Sequence, residues 1–536
     1  MTQAPECYPI SILPHSSRLF LDYAERREPL LPFFPSSPYS NGWMLHRSPI
    51  SEAGRERIAA TLESQNRESG AGEKVFANIA ALRRGANAVV TGQQVTLLGG
   101  PLYTLFKAAT AVRKAQDATA AGHPHVPIFW LATEDHDLDE ADHASFPSRH
   151  ELHTLRLNMR EQPAAPVGSL LLSDDISRVL DEAAALLEAG PTLEALAACY
   201  RPGVSFGAAF ARFISRIFSE HGLIVIDASS RECHALGAEV LRKALTAPVE
   251  LRNALVERDK LLTAEGYHSQ VLVGPQSSLL FLLDAESRAR LPLKPGVDGA
   301  WLAGKKSYSE AALLEILENE PERLSPNALL RPVFQDAILP TSAYIGGPAE
   351  IAYFAQSQVL YERILGRTTP VLPRLSATLI EPAVAEVLRQ HELSLTDVIE
   401  LRPEELAVKL GARAMPIENK RRLAAAGNAL DSELEALTTY LGSLDEGLAR
   451  SAEVAASKMR YQMNRLRRLG ANYQLQREAS LRRHADALAL ALFPARSLQE
   501  RLIGAAWFLS RYGEALPSLL VEHAAQECPG HKAIFL

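Results

Sequence analysis

At 536 residues the chain is too long for one hydrophobic core, so at least two domains are expected. Its 47% apolar and 22% charged residues are ordinary for a folded soluble protein, and a net charge of -7 argues against a general nucleic-acid binder while leaving room for a local basic face. The N-terminus, MTQAPECYPISILPHSSRLF, lacks the basic and long apolar regions of a secretory signal, and no later stretch reaches the roughly 18 apolar residues of a membrane span, so a cytoplasmic location is expected. Cys7, Cys199, Cys233 and Cys528 are scattered without C-x-x-C spacing, which predicts four reduced, structurally incidental thiols.

Residues 1–50, rich in proline and aromatics, read as an arm wrapped around a core, and 51–85 as a polar helix with Ile58, Leu62, Ile79 and Leu82 on one side. Ala88, Val89 and Val90 then form a short apolar run, and Leu102, Leu105, Phe106, Ala109 and Val112 recur at helical spacing. A proline-bounded apolar strand over 126–132 follows, and strand, helix, strand in that order predicts a βαβ unit and a parallel sheet. Further strands are expected at 223–227, 270–273, 279–283, 338–344 and 371–375, with helical or irregular insertions at about 145–215 and 285–325.

After Pro416 the pattern turns helical. Leu430, Leu434, Leu437, Leu441, Leu444 and Leu448 alternate in steps of four and three, as in a coiled-coil seam. Gly442 followed by the capping box Ser443-x-x-Glu446 predicts a break and a second arm over 443–490, about 70 Å long at 1.5 Å per residue. That arm carries Lys458, Arg460, Arg465, Arg467, Arg468, Arg477, Arg482 and Arg483. A solvated face balanced by Glu418, Asp431, Glu433 and Glu435 explains them, with a phosphate- or RNA-binding stripe as the alternative. The expected division is a core over 1–415, a helical coiled-coil domain over 416–495, and a segment over 496–536 that returns to the core.

Ligands of doubly wound sheets bind beyond the carboxyl ends of the strands. In VVTGQQVTLLGGPLYTLFKA, Gly92, Gly99 and Gly100 would let a ligand approach the backbone, and free amides before the helix would attract an anion. Lys107 would reach back toward it; the alternative is that the glycines only make a turn. Gln93 and Gln94 favour the ligand loop, because paired hydrogen-bonding side chains have little packing reason to sit at a strand end. The next strand end carries Glu134, Asp135, His136 and Asp137, followed by Asp139, Glu140, Asp142 and His143. It reads as an acid/base or substrate-binding cluster rather than a permanent metal site, and extended alternation would put Glu134 and His136 on one side and Asp135 and Asp137 on the other. A metal-dependent hydrolase centred on Asp135, His136 and Asp137 is a further alternative. In ALLRPVFQDAILPTSAYIGGPAEIAYFAQ, Gly346-Gly347-Pro348 repeats the strand-to-helix junction, so two loops would face each other across a crevice lined by Arg331, Gln335, Asp336 and Glu350. Arg374 and Ser376, on one side of a strand in LPRLSATLIEP, form a candidate anion clamp.

These four stretches, together with LQERLIGAAWFLSRYG and the terminal GHKAIFL, resemble the bacillithiol biosynthesis family of cysteine ligases, the cysteine-adding enzymes, from end to end. The resemblance implies an α/β fold with a Rossmann-like core of the class I aminoacyl-tRNA synthetase kind, connecting insertions, and a coiled-coil domain that pairs subunits into a homodimer. It also implies a carbon–nitrogen ligase that joins the carboxyl group of cysteine to the amine of glucosaminyl-malate. Because a carboxylate does not condense unaided with an amine at neutral pH, ATP, with Mg²⁺, is the expected activating co-substrate. Arg331 and Arg374 are then candidates for the malate carboxylates. TGQQ and LSATLIE depart from the synthetases' His-x-Gly-His and Lys-Met-Ser-Lys-Ser nucleotide motifs, which leaves the basic arm as a second candidate nucleotide site.

Overall fold

The computed structural model describes residues 4–47, 49–159, 164–296, 299–525 and 528–536. Within the two expected insertions, 160–163 and 297–298 lie outside the described residues. The centre is a five-stranded sheet of β1 (Asn87–Gln94), β2 (His125–Ala132), β3 (Ile224–Asp227), β4 (Thr341–Gly346) and β5 (Val371–Pro373), ordered β5-β4-β1-β2-β3 with every pair parallel. All eight residues of β2 are buried, as a parallel strand covered on both faces requires. Val126, Ile128 and Trp130 join the hydrophobic core on one face of the sheet, while Phe129 and Leu131 join the core on the other. Strand order reverses between β1 and β4, where such sheets hold their ligands.

Four helices position that region: α1 (Tyr103–Ala120) after β1, α2 (Leu138–Ala141) after β2, α3 (Arg331–Ile338), and α4 (Pro348–Leu365) after β4. The strand expected at 338–344 therefore starts only at Thr341, because α3 occupies the preceding residues. Residues 51–85 form two helices, Glu52–Glu68 and Glu73–Arg83, parted at Gly70, whose φ of 73° suits glycine. No strand forms at 270–273. The second insertion, expected to be helical or irregular, holds the helix Glu310–Asn319 but is mainly a five-stranded antiparallel sheet built from Leu280–Leu283, Arg290–Pro295, Trp301–Ala303, Lys306–Tyr308 and Leu324–Pro326.

Beyond the parallel sheet, α5 (Ile417–Leu444) and α6 (Glu446–Arg477) form the helical hairpin. The break is not the expected Ser443 capping box. Asp445 caps α6 by accepting from the amides of Gly447 and Leu448, while Ser443 Oγ donates to the Tyr440 carbonyl. The second arm ends at Arg477, about 48 Å long at 1.5 Å per residue rather than 70 Å. Leu434 is buried in the hairpin, but Leu437, Leu444 and Leu448 face outward. Arg460 pairs with Asp431 across the hairpin at 2.8 Å, as a balanced solvated face predicts. Among the described residues no helix is long and apolar enough to cross a membrane.

The chain ends meet in a third sheet, where His531–Phe535 lies between Glu6–Tyr8 and Ala377–Ile380. This sheet brings Cys7 and Cys528 together as a disulfide, correcting the expectation of four reduced cysteines; Cys199 and Cys233 are free and buried. A separation of 521 residues along the chain hides that pairing from any spacing rule.

Candidate active site

The carboxyl ends of β1, β2 and β4 open into a cavity of about 290 Å³ at the point where strand order reverses. Its floor is a buried ion pair. Lys107 reaches back from α1 to place Nζ 2.6 Å from Glu350 Oε2, and it also donates to the Gly92 carbonyl and to Gln93 Oε1 at 2.7 and 2.9 Å. Glu350, in the first turn of α4, accepts from the Gly347 amide at 2.8 Å and from the Tyr344 hydroxyl at 2.6 Å. Burial holds the Lys107 ammonium below the usual lysine range, against the pull of Glu350.

The glutamines have distinct tasks. Gln93 bridges Lys107 and the Tyr103 hydroxyl, to which its amide donates at 3.0 Å. Gln94 donates to the Asp137 carbonyl at 2.9 Å and so ties the segment after β2 to the end of β1.

On the far wall, Arg331 donates from both terminal nitrogens to Asp135, one bond measuring 3.0 Å. Arg290 of the insertion sheet adds a second cation, 3.7 Å from the same carboxylate. Burial would raise the Asp135 pKa, but the Arg331 charge and hydrogen bonds outweigh it and hold the carboxyl below its usual range. Burial in turn pulls Arg290 down to about 10. Arg374 completes the wall, with its guanidinium 2.6 Å from Glu500 Oε1, bonded to the Leu375 carbonyl, and 5.3 Å from the Tyr103 ring.

Gln93, Gln94, Lys107, Asp135, Arg331, Gln335, Gly347, Glu350 and Arg374 are thus gathered at one cavity. The remaining predicted residues are not. Gly99 and Gly100 are buried with φ of 85° and 73°, and their amides are already bonded, to the Tyr200 hydroxyl at 2.9 Å and the Leu97 carbonyl at 3.0 Å. They make a turn, and neither of these two amides is left for an anion. The chain turns at 133–134, so the expected alternation is lost. Glu134 lies 2.9 Å from the buried ring of His234, His136 is exposed with its ring 5.8 Å from Phe281, and Asp137 caps α2 by accepting from the Glu140 amide. Because Asp135, His136 and Asp137 diverge, they do not form the donor set of the hydrolase alternative, and among the described residues no group of three such side chains is placed to hold a metal ion.

Asp336 is buried behind the wall, bonded to the Tyr361 hydroxyl and Thr369 Oγ1, with burial raising its pKa. Gly346 and Ser376 face a neighbouring cavity, where Ser376 is hydrogen-bonded to His531 Nδ1 at 2.8 Å. The anion held by the expected Arg374–Ser376 clamp is Glu500 of the protein itself, which also accepts from the Ala377 amide.

Sequence reasoning missed Arg501, on the helix Gln499–Leu502, which lines the same cavity. It is exposed and, among the described residues, makes no ion pair. Its segment, LQERLIGAAWFLSRYG, carries the family resemblance, but only tertiary folding brings Arg501 to the cavity. Lys107, Arg290, Arg331 and Arg374 each face a carboxylate of the protein, so among the described residues lining the cavity Arg501 is the cation without a carboxylate partner.

Residues 6–375 match the family model described as the bacillithiol biosynthesis BshC N-terminal Rossmann-like domain, and residues 377–536 match that of the BshC C-terminal coiled-coil domain. The chain belongs to the BshC family. Among BshC proteins it is 41% identical to one from Koribacter versatilis over 99% of both chains. It is 35% identical to one from Solibacter usitatus, covering 98% of this chain and 99% of that one, and 31% identical to one from Salinibacter ruber over 96% of each. All three carry the name "Putative cysteine ligase BshC".

Proposed function

We propose that this BshC protein is a carbon–nitrogen ligase of bacillithiol biosynthesis that joins the carboxyl group of cysteine to the amine of glucosaminyl-malate. The observation that carries this reading is the charge balance of the switch-point cavity, where one unpaired cation, Arg501, faces a space lined by polar side chains. A malate carboxylate supplies the missing partner, and Gln93, Gln94 and Gln335 offer hydrogen bonds for the sugar hydroxyls. Arg331 and Arg374, already paired, shape the wall rather than bind the malate.

ATP, with Mg²⁺, is proposed as the co-substrate that activates the cysteine carboxyl group. The Gly99–Gly100 turn does not fit its phosphates, because both amides are used internally, which leaves the basic arm, where Arg467 and Arg468 line a cavity with Lys409 and Lys420, as the candidate nucleotide site. We further propose a cytoplasmic homodimer formed through the coiled coil. Leu437, Tyr440, Leu444, Leu448, Val454 and Tyr461 expose apolar surface along the hairpin, and a second copy would cover it.

Purified protein incubated with cysteine, glucosaminyl-malate and Mg-ATP is expected to yield bacillithiol with one AMP or ADP per product. Product without nucleotide consumption removes ATP from the reaction, and failure to form product removes the ligase reading. A monomer mass in size-exclusion chromatography with light scattering removes the dimer.

A further inference from the structure

Like Arg501 among the cations, one carboxylate lining the cavity has no ion-pair partner among the described residues. Asp135 is held by Arg331 and Arg290, Glu350 by Lys107, and Glu500, behind the wall, by Arg374. Glu140 lines the cavity too, and among the described residues it makes no ion pair. Its support is fixed at two points. Asp137 Oδ1 accepts from the Glu140 amide at 3.3 Å, and the Asp137 carbonyl accepts from Gln94 at the end of β1.

We propose that Glu140 is the catalytic base that takes the proton from the substrate amine. This rests on the ligase reading above. The amine nitrogen forms a bond to the carbonyl carbon of the activated cysteine, a mixed carboxylic–phosphoric anhydride. The bond from that carbon to the phosphoryl-bound oxygen breaks with its electron pair leaving on the oxygen, and the proton shed by nitrogen passes to Glu140. A substrate that carries an amine and carboxylates matches one unpaired carboxylate and one unpaired cation in a single cavity.

The surroundings suit a base. Asp137 and Asp135 are the negative neighbours of Glu140, His143 the nearby imidazole, and Tyr103 the titratable group that α1 turns toward it. The half-buried Tyr103 phenol feels both the cations Arg374 and Arg501 and the carboxylates Glu350 and Glu140. Burial first, then Asp137 and Asp135, raises the Glu140 carboxyl above its ordinary range, which brings a carboxylate nearer the basicity that proton transfer needs.

The test compares wild type, Glu140→Gln and Glu140→Asp across the pH profile, with calorimetric binding of glucosaminyl-malate to each. Glu140→Gln is expected to lower kcat by roughly 10²–10³-fold, to leave sugar affinity within about threefold, and to abolish the acid limb of the kcat profile. Glu140→Asp should keep that limb at a reduced rate. A Glu140→Gln enzyme with near wild-type kcat, or one with an intact acid limb, overturns the proposal, as does a loss confined to KM. If wild type forms no bacillithiol, the ligase reading falls and Glu140 with it; if wild type is active and Glu140→Gln equally so, only the base is wrong.

Discussion

Lys107 Nζ and Glu350 Oε2 stand 2.6 Å apart and join the helix after β1 to the helix after β4 beneath the cavity. Both groups are largely withdrawn from water, so removing one strands the other. Lys107→Met is expected to lower unfolding free energy by about 3–5 kcal/mol in urea titration. Adding Glu350→Gln should recover much of that loss, because Gln still accepts from the Gly347 amide, while activity stays low.

Arg501 and Arg331 are predicted to behave oppositely although they line one cavity. Arg501→Ala removes an exposed side chain, so unfolding free energy should change by less than about 0.5 kcal/mol. The KM for glucosaminyl-malate should rise roughly 10–100-fold through loss of a charge-assisted contact. Arg331→Ala leaves Asp135 with only the more distant Arg290 and should be strongly destabilised. Equal substrate effects with equal stability in the two variants would contradict the charge accounting.

His531 is buried between Ser376 and Thr378, and burial lowers its pKa to about 4. The unfolded imidazole, at roughly 6.5, binds its proton more readily than the folded one. Stability from His531 is therefore fully present above about pH 6.5 and lost as pH falls toward 4, by an amount on the order of 2–3 kcal/mol. Thermal unfolding from pH 7 to 4 should show a shallower acid loss in His531→Gln than in wild type.

The Cys7–Cys528 disulfide spans almost the whole chain, and such closures typically stabilise by about 2–4 kcal/mol. Protein purified without reductant should show only Cys199 and Cys233 available to alkylation after denaturation, by mass spectrometry. Reductant should lower its denaturation midpoint, and Cys7→Ser should abolish that sensitivity.

The βαβ order, the parallel sheet and the helical hairpin were legible because hydrophobic periodicity is local, from Val126 to Trp130 and from Leu430 to Leu448. The paired strand-to-helix junctions at Gln93 and Gly347 were legible too, since glycine and proline mark them. Local pattern failed where a partner elsewhere in the chain decides. Gly99 looked like an anion cradle until Tyr200 took its amide, and Asp135 looked like a catalytic carboxylate until Arg331 claimed it. The Ser443 box lost to a neighbouring Asp445, a competition between adjacent caps that sequence alone did not rank.

What the sequence by itself determined, then, is the set of chemical groups at each strand end and the family to which they belong. Only the tertiary structure decided which of those charges remain free. Burial makes an unpaired charge costly, so the fold pairs Lys107, Arg331 and Arg374 internally with residues from remote segments. Among the described residues lining the cavity, Glu140 and Arg501 are exposed and keep charges that no ion pair within the protein neutralises.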